Sequence, residues 1–289
     1  MEKYALHLDP EFRPYKNLRR ITHESFTFPS GCEPHIKISE DSIVIINPED
    51  TVVITHRIKN LNDFFLICFA ADALQYRGIN NLELLITYLP FARQDRRMDN
   101  GEPLSIKIIS NMINQMNFKR VDIYDPHSEV ATALINNSHS IYNHKFVKAC
   151  LSDFEKYTLV CPDSGAYKKF HGLCQYLEYE SESLLCTKIR DTTTGRIQRI
   201  DINYNTNQPE TNCIIVDDIC DGGGTFVLLA EKIKHIWPWA KIHLIISHGI
   251  FSNGFPLKGI DHIYTTNSIP NKIPNTGYVT QIKLENLLQ

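Results

Sequence analysis

The sequence predicts an α/β protein made of mainly parallel sheets flanked by helices, and three observations carry that prediction. Short aliphatic, β-branched runs alternate with longer segments whose apolar residues recur at helical spacing, in both halves of the chain. Such alternation implies parallel strands joined by helical crossovers. The length, 289 residues with 43% hydrophobic and 22% charged residues, suits about two globular domains with ample core. Finally, the run Ile214 to Val216 ends in Asp217 and Asp218, turns through Gly222, Gly223 and Gly224, and opens the apolar-periodic stretch FVLLAEKIKHI. That places three glycines between a buried strand and the start of a helix.

Taken in order, residues 1 to 40 read as polar and irregular, with strand-like pieces such as HIKI, and FPSGCEP (Phe28 to Pro34) reads as a turn-rich loop. SIVIIN and TVVITH are predicted strands, and NLNDFFLICFAADALQYRG is a predicted helix ending at Gly78. LELLITYLP is a buried strand, SIKIISNMINQM a helix, VDIYDP a strand and SEVATALINN a further helix. The second half repeats the alternation. YTLVCPD is a strand, SGAYKKFHGLCQYL a helix, SLLCTKI and CIIVDD strands, and IHLIISHGIF and IDHIYTTNS add more sheet. The halves divide at about residue 144, giving domains 1–144 and 145–289, with the tail 275–289 expected to pack back on the first.

Composition excludes several classes. A formal net charge of −3 argues against a nucleic-acid-binding surface. Eight cysteines without C-x-x-C pairs, several inside apolar runs, read as buried free thiols in a reducing cytosol rather than a zinc site. The N-terminus lacks an apolar signal core, and the longest apolar stretch, about Phe64 to Leu74, contains Asp72 and is too short to span a bilayer. A cytoplasmic protein with no membrane partner is expected.

At a helix start, backbone N–H groups lack intrahelical partners and the helix dipole favours an anion. Gly222, Gly223 and Gly224 let the backbone approach a phosphate, and the Thr225 hydroxyl adds a donor. Asp217 and Asp218 can reach vicinal hydroxyls or a metal on the same ligand. The ordinary alternative is a glycine turn with two solvated acids. The dinucleotide-binding spacing and the P-loop lysine are both missing.

Four further polar clusters follow strands, where open parallel sheets collect ligands. In YLPFARQDRRMDNGEPLS, the guanidinium groups of Arg93, Arg96 and Arg97 suit polyphosphate oxygens, although Asp95 and Asp99 could equally neutralise a solvated basic loop. In YDPHSEV, His127 could bind a divalent ion or simply pack. In CPDSGAYKK, Asp163 could be a ligand or a helix cap. In CTKIRDTTTGRI, Lys188 and Arg190 alternate on a strand and so point to one face, unless the segment is a plain polar hairpin.

Together and in this order, VDDICDGGGTF, ARQDRR followed by GEPLS, the D-x-H at Asp125 to His127, PDSG, K-x-R and SHGIFS resemble the ribose-phosphate pyrophosphokinase (PRPP synthetase) family from about Phe28 to Ser268. The resemblance implies two domains of type I phosphoribosyltransferase fold. It also implies Mg²⁺-dependent transfer of the β,γ-diphosphate of ATP to the 1-hydroxyl of ribose 5-phosphate. By position, Arg93, Gln94 and Asp95 match the ATP-binding loop. Phe28, Ser30 and Glu33 match the adenine loop, which is often completed across a subunit interface. His127 and Asp163 match the ligands of the Mg²⁺ on the ATP phosphates. Lys188 and Arg190, with His127, match the catalytic set. Asp217 and Asp218 match the pair on the ribose hydroxyls, partly through a second metal, and Asp221 to Thr225 match the 5-phosphate loop. A homo-oligomer, dimer or hexamer, is implied.

The chain departs from the family's pattern in two loops. FPSGCEP stands where the family reads F-P-D-G-E, so Ser30 replaces an acid and Glu33 is displaced by one. Gly222 stands where the phosphate loop carries Thr, which removes a hydroxyl and is expected to open space beside the 5-phosphate. That opening raises a larger acceptor, ADP-ribose, as an alternative to ribose 5-phosphate. A phosphoribosyltransferase and a catalytically silent regulatory homologue are further alternatives. Against them stand ARQDRR and the retention of Arg93, His127, Asp163, Lys188, Arg190 and both loop acids.

Overall fold

The computed structural model describes residues 1–190, 197–203, 208–271, 273 and 277–288; of Arg190, Ile197 and Gln198 the backbone alone is described. Two compact units emerge. The first comprises Met1–Tyr142, Ser268–Pro270 and the C-terminal residues from Leu284, and the second comprises Asn143–Asn267 and Asn271–Lys283.

In the first unit the chain runs β1 (Lys3–His7), β2 (Arg19–Ile21), β3 (His23–Phe28), β4 (Glu33–Ile38), α1 (Glu40–Ile43), β5 (Thr51–His56) and α2 (Leu61–Tyr76). It continues through β6 (Asn81–Ile86), α3 (Ser105–Gln115), β7 (Arg120–Tyr124), α4 (Glu129–Leu134) and β8 (Ser138–Ile141). Six strands form one sheet in the order β2-β1-β5-β6-β7-β8, parallel at every pairing. Its centre is apolar on both faces, as helices on either side demand: Leu6, Ile54, Leu82, Leu85, Ile86 and Ile123 are fully buried. The helix α2 begins with a capping box. The Asn60 side chain accepts from Asp63 N–H, and the Asp63 carboxylate accepts from Asn60 N–H, an arrangement worth about 1 kcal/mol. It ends at Gly78, whose φ of +81° suits the left-handed position that closes a helix. Leu284 closes a small apolar cluster with Phe12, Leu85 and Tyr124, so the last turn of the chain belongs to this unit's core.

The second unit runs α5 (His144–Leu151), β9 (Thr158–Cys161), α6 (Tyr167–Leu177), β10 (Leu184–Arg190), β11 (Ile197–Asn203), β12 (Asn212–Cys220), α7 (Gly224–Ile236), β13 (Lys241–Gly249), β14 (His262–Thr266) and β15 (Val279–Ile282). These strands form a seven-stranded sheet, β11-β10-β9-β12-β13-β14-β15, in which the β10–β11 pairing alone among the described strands is antiparallel.

Three sequence expectations are corrected. Residues 1 to 40 are not irregular, because Lys3–His7 is an interior strand between β2 and β5, with Tyr4, Ala5 and Leu6 buried. An apolar run that short carries no readable period. SIVIIN is not a strand: Glu40–Ile43 is one helical turn, with Glu40 and Asp41 at its N-terminus where the helix dipole favours acids, and Val44 is exposed. FPSGCEP is a loop only over residues 29–32, since Phe28 and Glu33 are paired strand ends of an antiparallel hairpin. The positive φ values of Gly31 and Cys32 make its turn.

Candidate active site

The second unit gathers Asp163, Asp217, Asp218 and Asp221 to Thr225 toward the carboxyl ends of two neighbouring parallel strands, β9 and β12. Along β12 the acids Asp217 and Asp218 leave the apolar run, and Asp217 Oδ1 accepts Asp218 N–H at 2.9 Å. Burial raises the Asp217 pKa well above the carboxylate range, and the charges of Asp218 and Asp163 raise it further. This is a set of carboxylates held together against their mutual repulsion. Asp218 is 6% exposed, and Lys169 Nζ of α6 lies 3.7 Å from its Oδ2. Lys169 was visible in CPDSGAYKK, but nothing in its spacing marked it as facing an acid from another strand.

After Asp221 the chain turns through the glycines into α7. Gly223 has φ +78°, and a Cβ there would sit 2.7 Å from Leu257 Cδ2, so both its conformation and its surroundings require glycine. Gly224, the first residue of α7, has open space at its Cβ position, and Thr225 is half-buried beside it. Gly222 corrects an expectation. A Cβ there would lie 2.8 Å from Asn253 Nδ2, so the space freed by the missing side chain is already filled by the Asn253 amide.

Asp163 follows β9. Its Oδ1 accepts Ala166 N–H at 3.1 Å, and its Oδ2 takes the Lys188 ammonium at 2.5 Å. Burial alone would raise its pKa, but the hydrogen bond and charge of Lys188, with the N–H groups of Ala166 and Gly165, hold it below the usual carboxylate value. In the structure the Asp163 carboxylate thus closes the turn that leads into α6 and pairs with Lys188. Lys188 and Arg190 lie on β10, as expected, but the pairing with β11 slips between Ile189 and Arg190. The strict alternation is interrupted there, and the Arg190 side chain lies outside the described residues.

In the first unit, Arg93, Gln94 and Asp95 lie in the loop after β6, and Asp125 to His127 in the loop after the neighbouring β7. Arg93 and Gln94 are exposed, Arg96 pairs with Asp95 at 3.4 Å, and Arg97 donates to the Glu102 carbonyl. The Glu102 carboxylate accepts the N–H groups of Met98 and Asp99 and so shapes the loop. Asp125 is fully buried with φ +40°, an unusual conformation for a residue with a side chain, and turns the chain toward a half-buried His127. On the β3–β4 hairpin, Phe26, Phe28 and His35 form an aromatic cluster with ring centroids 4.9 to 5.8 Å apart. Phe26 and Phe28 are both exposed, and Ser30 lies at the turn.

His127 belongs to the first unit and Asp163 to the second. Among the described residues no three His, Cys, Asp or Glu side chains converge as a cation cage. All eight cysteines are free, and burial pushes the thiols of Cys161 and Cys220 up to about 12, which makes them inert as nucleophiles. No helix among the described residues is long and apolar enough to cross a membrane.

Parallel sheets wrapped by helices, with an acid pair running into a glycine turn at a helix start, define a protein of phosphoribosyltransferase-type fold. Within that class, residues 18–116 match the N-terminal domain of ribose phosphate pyrophosphokinase. The resemblance to the ribose-phosphate pyrophosphokinase family extends along nearly the whole chain. The enzyme so named from Pyrococcus abyssi is 27% identical over 96% of this chain and 94% of its own length. The one from Mycoplasmopsis pulmonis is 27% identical over 81% of this chain and 76% of its own. The crystal structure of phosphoribosylpyrophosphate synthetase from Mycobacterium smegmatis superimposes with a TM-score of 0.82 at 17% identity, covering 100% of this chain and 96% of that one, which shows the shared fold.

Proposed function

We propose that the protein transfers the β,γ-diphosphate of ATP to the anomeric hydroxyl of ribose 5-phosphate, giving PRPP and AMP. The observation that carries this reading is the run from Asp217–Asp218 into the Gly222–Thr225 turn at the start of α7. One stretch of backbone there offers acids for a diol and N–H groups for a phosphate five residues on. The names of the full-length relatives point to the same reaction.

In the step itself the 1-hydroxyl oxygen bonds to the β-phosphorus, the bond from that phosphorus to the α,β-bridging oxygen breaks, and the hydroxyl proton leaves to solvent. Such a transfer asks the protein for positioning and charge neutralisation. Asp217 and Asp218 orient the ribose diol, the loop from Asp221 to Thr225 holds the 5-phosphate, and Lys188 and Arg190 neutralise charge on the moving diphosphoryl group. Arg93, Gln94 and Asp95 hold ATP. The exposed aromatic hairpin with Phe28, Ser30 and Glu33 receives adenine, completed by a second copy of the chain in a dimer or hexamer. The adjacent carboxyl groups of Asp217 and Asp218 on β12 are a donor set that fits a magnesium ion, a hard cation that uses one or two carboxylates and completes its shell with water and phosphate oxygens. When bound, magnesium supplies neutralisation of the phosphate charge.

AMP release from ATP and Mg²⁺, with ribose 5-phosphate and ADP-ribose supplied separately and products identified by ³¹P NMR, tests this. PRPP is expected from ribose 5-phosphate, with ADP-ribose a poor acceptor because Asn253 fills the room beside Gly222. Preference for ADP-ribose, or no AMP with either, would overturn the reading.

A further inference from the structure

The segment after β13 takes the carbonyls of the phosphate loop one after another. Ile250 and Phe251 N–H both donate to Cys220 O, at 2.8 and 3.1 Å, and Ser252 N–H donates to Asp221 O at 3.1 Å. Asn253 Nδ2 then donates to Gly222 O at 3.1 Å. The first two carbonyls are held by backbone and the third by a side chain. In a trans peptide the C=O and the following N–H point in opposite directions. Each pinned carbonyl therefore turns the next N–H, of Asp221, Gly222 and Gly223 in turn, away from residues 250–253.

Gly222 and Asn253 also share one volume. A Cβ on Gly222 would meet Asn253 Nδ2 at 2.8 Å and its Cγ at 3.4 Å. The amide can hold the Gly222 carbonyl in this way only because position 222 carries no side chain. The pair is thus a single device, in a loop that in the resembling family carries a threonine hydroxyl at that position.

We infer that Asn253 is a positioning residue for the 5-phosphate, and that its carboxamide fixes the Gly222–Gly223 peptide so that Gly223 N–H faces the phosphate in place of the missing hydroxyl. The inference rests on the ribose-phosphate reading of this loop. It makes Gly222 half of a compensated pair, with its partner 31 residues away in sequence.

Steady-state kinetics of the full chain with ribose 5-phosphate and ATP varied in turn, on wild type, N253A, G222T and G222T/N253A, test it. Losing one hydrogen bond that orients a charged group should raise KM for ribose 5-phosphate about ten-fold in N253A, leaving KM for ATP within about two-fold of wild type. G222T alone should lose about as much as N253A, since the new side chain pushes the exposed amide off the Gly222 carbonyl. The double variant should recover to within about three-fold of wild type, because the hydroxyl regains the space. An unmoved KM in N253A, or losses that simply add in the double variant, would overturn the inference. Titration calorimetry with ribose 5-phosphate, without ATP, on wild type and N253D keeps the test independent of turnover and of G222T folding. N253D preserves size but loses the donor, and unchanged affinity would again refute it. A wild type that forms no PRPP overturns the activity reading, whereas the titration decides the role of Asn253 separately.

Discussion

Lys188 Nζ stands 2.5 Å from Asp163 Oδ2, joining the β10–β11 hairpin arm to the loop after β9. Both side chains are largely shielded, at 14% and 23% exposure, so the ion pair is only weakly screened by solvent. A cation held by a carboxylate is ready to exchange that partner for a phosphoryl oxygen, because the two offer similar acceptors and the phosphate offers more charge.

On this arrangement Lys188→Ala should lower kcat by about 10²- to 10³-fold, the size of effect seen when one well-placed donor to a developing charge is removed. KM for ATP should stay within a few-fold, and equal losses in kcat and ATP affinity would place Lys188 in ground-state binding instead. The same variant should raise the Asp163 pKa, since burial then acts on that carboxyl without its counter-charge. A ¹³C NMR titration of the Asp163 side chain reads this directly.

Asp217→Asn should uncouple stability from activity. The wild-type carboxyl is half-buried beside Asp218, whose charge and that of Asp163 oppose its ionisation, so a neutral isostere relieves repulsion and can still accept Asp218 N–H. Ligand-free protein should gain on the order of 1 kcal/mol in urea unfolding, while PRPP formation falls by about 10²-fold or more. Magnesium should raise the melting temperature of wild type more than that of the variant. A variant less stable than wild type would mean that the acids are not in electrostatic conflict.

Gly223→Ala should destabilise the second unit by two separable routes. The left-handed backbone costs an alanine about 1–2 kcal/mol, and the Cβ placed 2.7 Å from Leu257 Cδ2 adds an overpacking cost of about 1–3 kcal/mol. Adding Leu257→Ala creates its own cavity but should remove the steric part. A double-mutant cycle by urea unfolding should therefore give a favourable coupling between the two changes. Strict additivity would show that Leu257 yields without cost.

What the sequence made legible follows a physical rule. Elements long enough to display a period, such as α2, α3, α6 and the β12–α7 unit, lie where the pattern of apolar residues put them. The predicted groups Asp163, Lys188, Asp217, Asp218 and Gly222 to Thr225 share one strand crest because parallel strands deliver their carboxyl ends to the same side. Hidden were features with no period to read. The strand β1 offers only three buried apolar residues, and the turn at α1 is decided by local acids beside an aliphatic run. Contacts between segments distant in sequence were equally invisible. Lys169 meets Asp218 across 49 positions, and Asn253 occupies room that, read along the chain alone, looked vacated by a glycine.

Acid sensitivity should be traceable to His7. This imidazole is 4% exposed, bonded through Nδ1 to Thr55 Oγ1 at 2.7 Å, and burial lowers its pKa to about 4, with Arg20, Arg13 and His23 adding to the shift. Its ordinary value is about 6.5. Between these values the unfolded chain binds the proton and the folded one does not, so stability rises with pH across that window. The contribution is complete above about pH 6.5, declines as pH falls, and is lost by about pH 4, amounting at most to roughly 3 kcal/mol. His243, lowered to about 4 mainly by burial, adds a second loss of the same sign in the other unit. His7→Asn keeps a polar atom opposite Thr55 but cannot titrate. Unfolding free energies of wild type and variant, measured from pH 7.5 to 4.5, should therefore converge as pH falls, because only wild type carries the His7 loss. Parallel curves would show that His7 accepts its proton in the folded state and that its burial gives way on acidification.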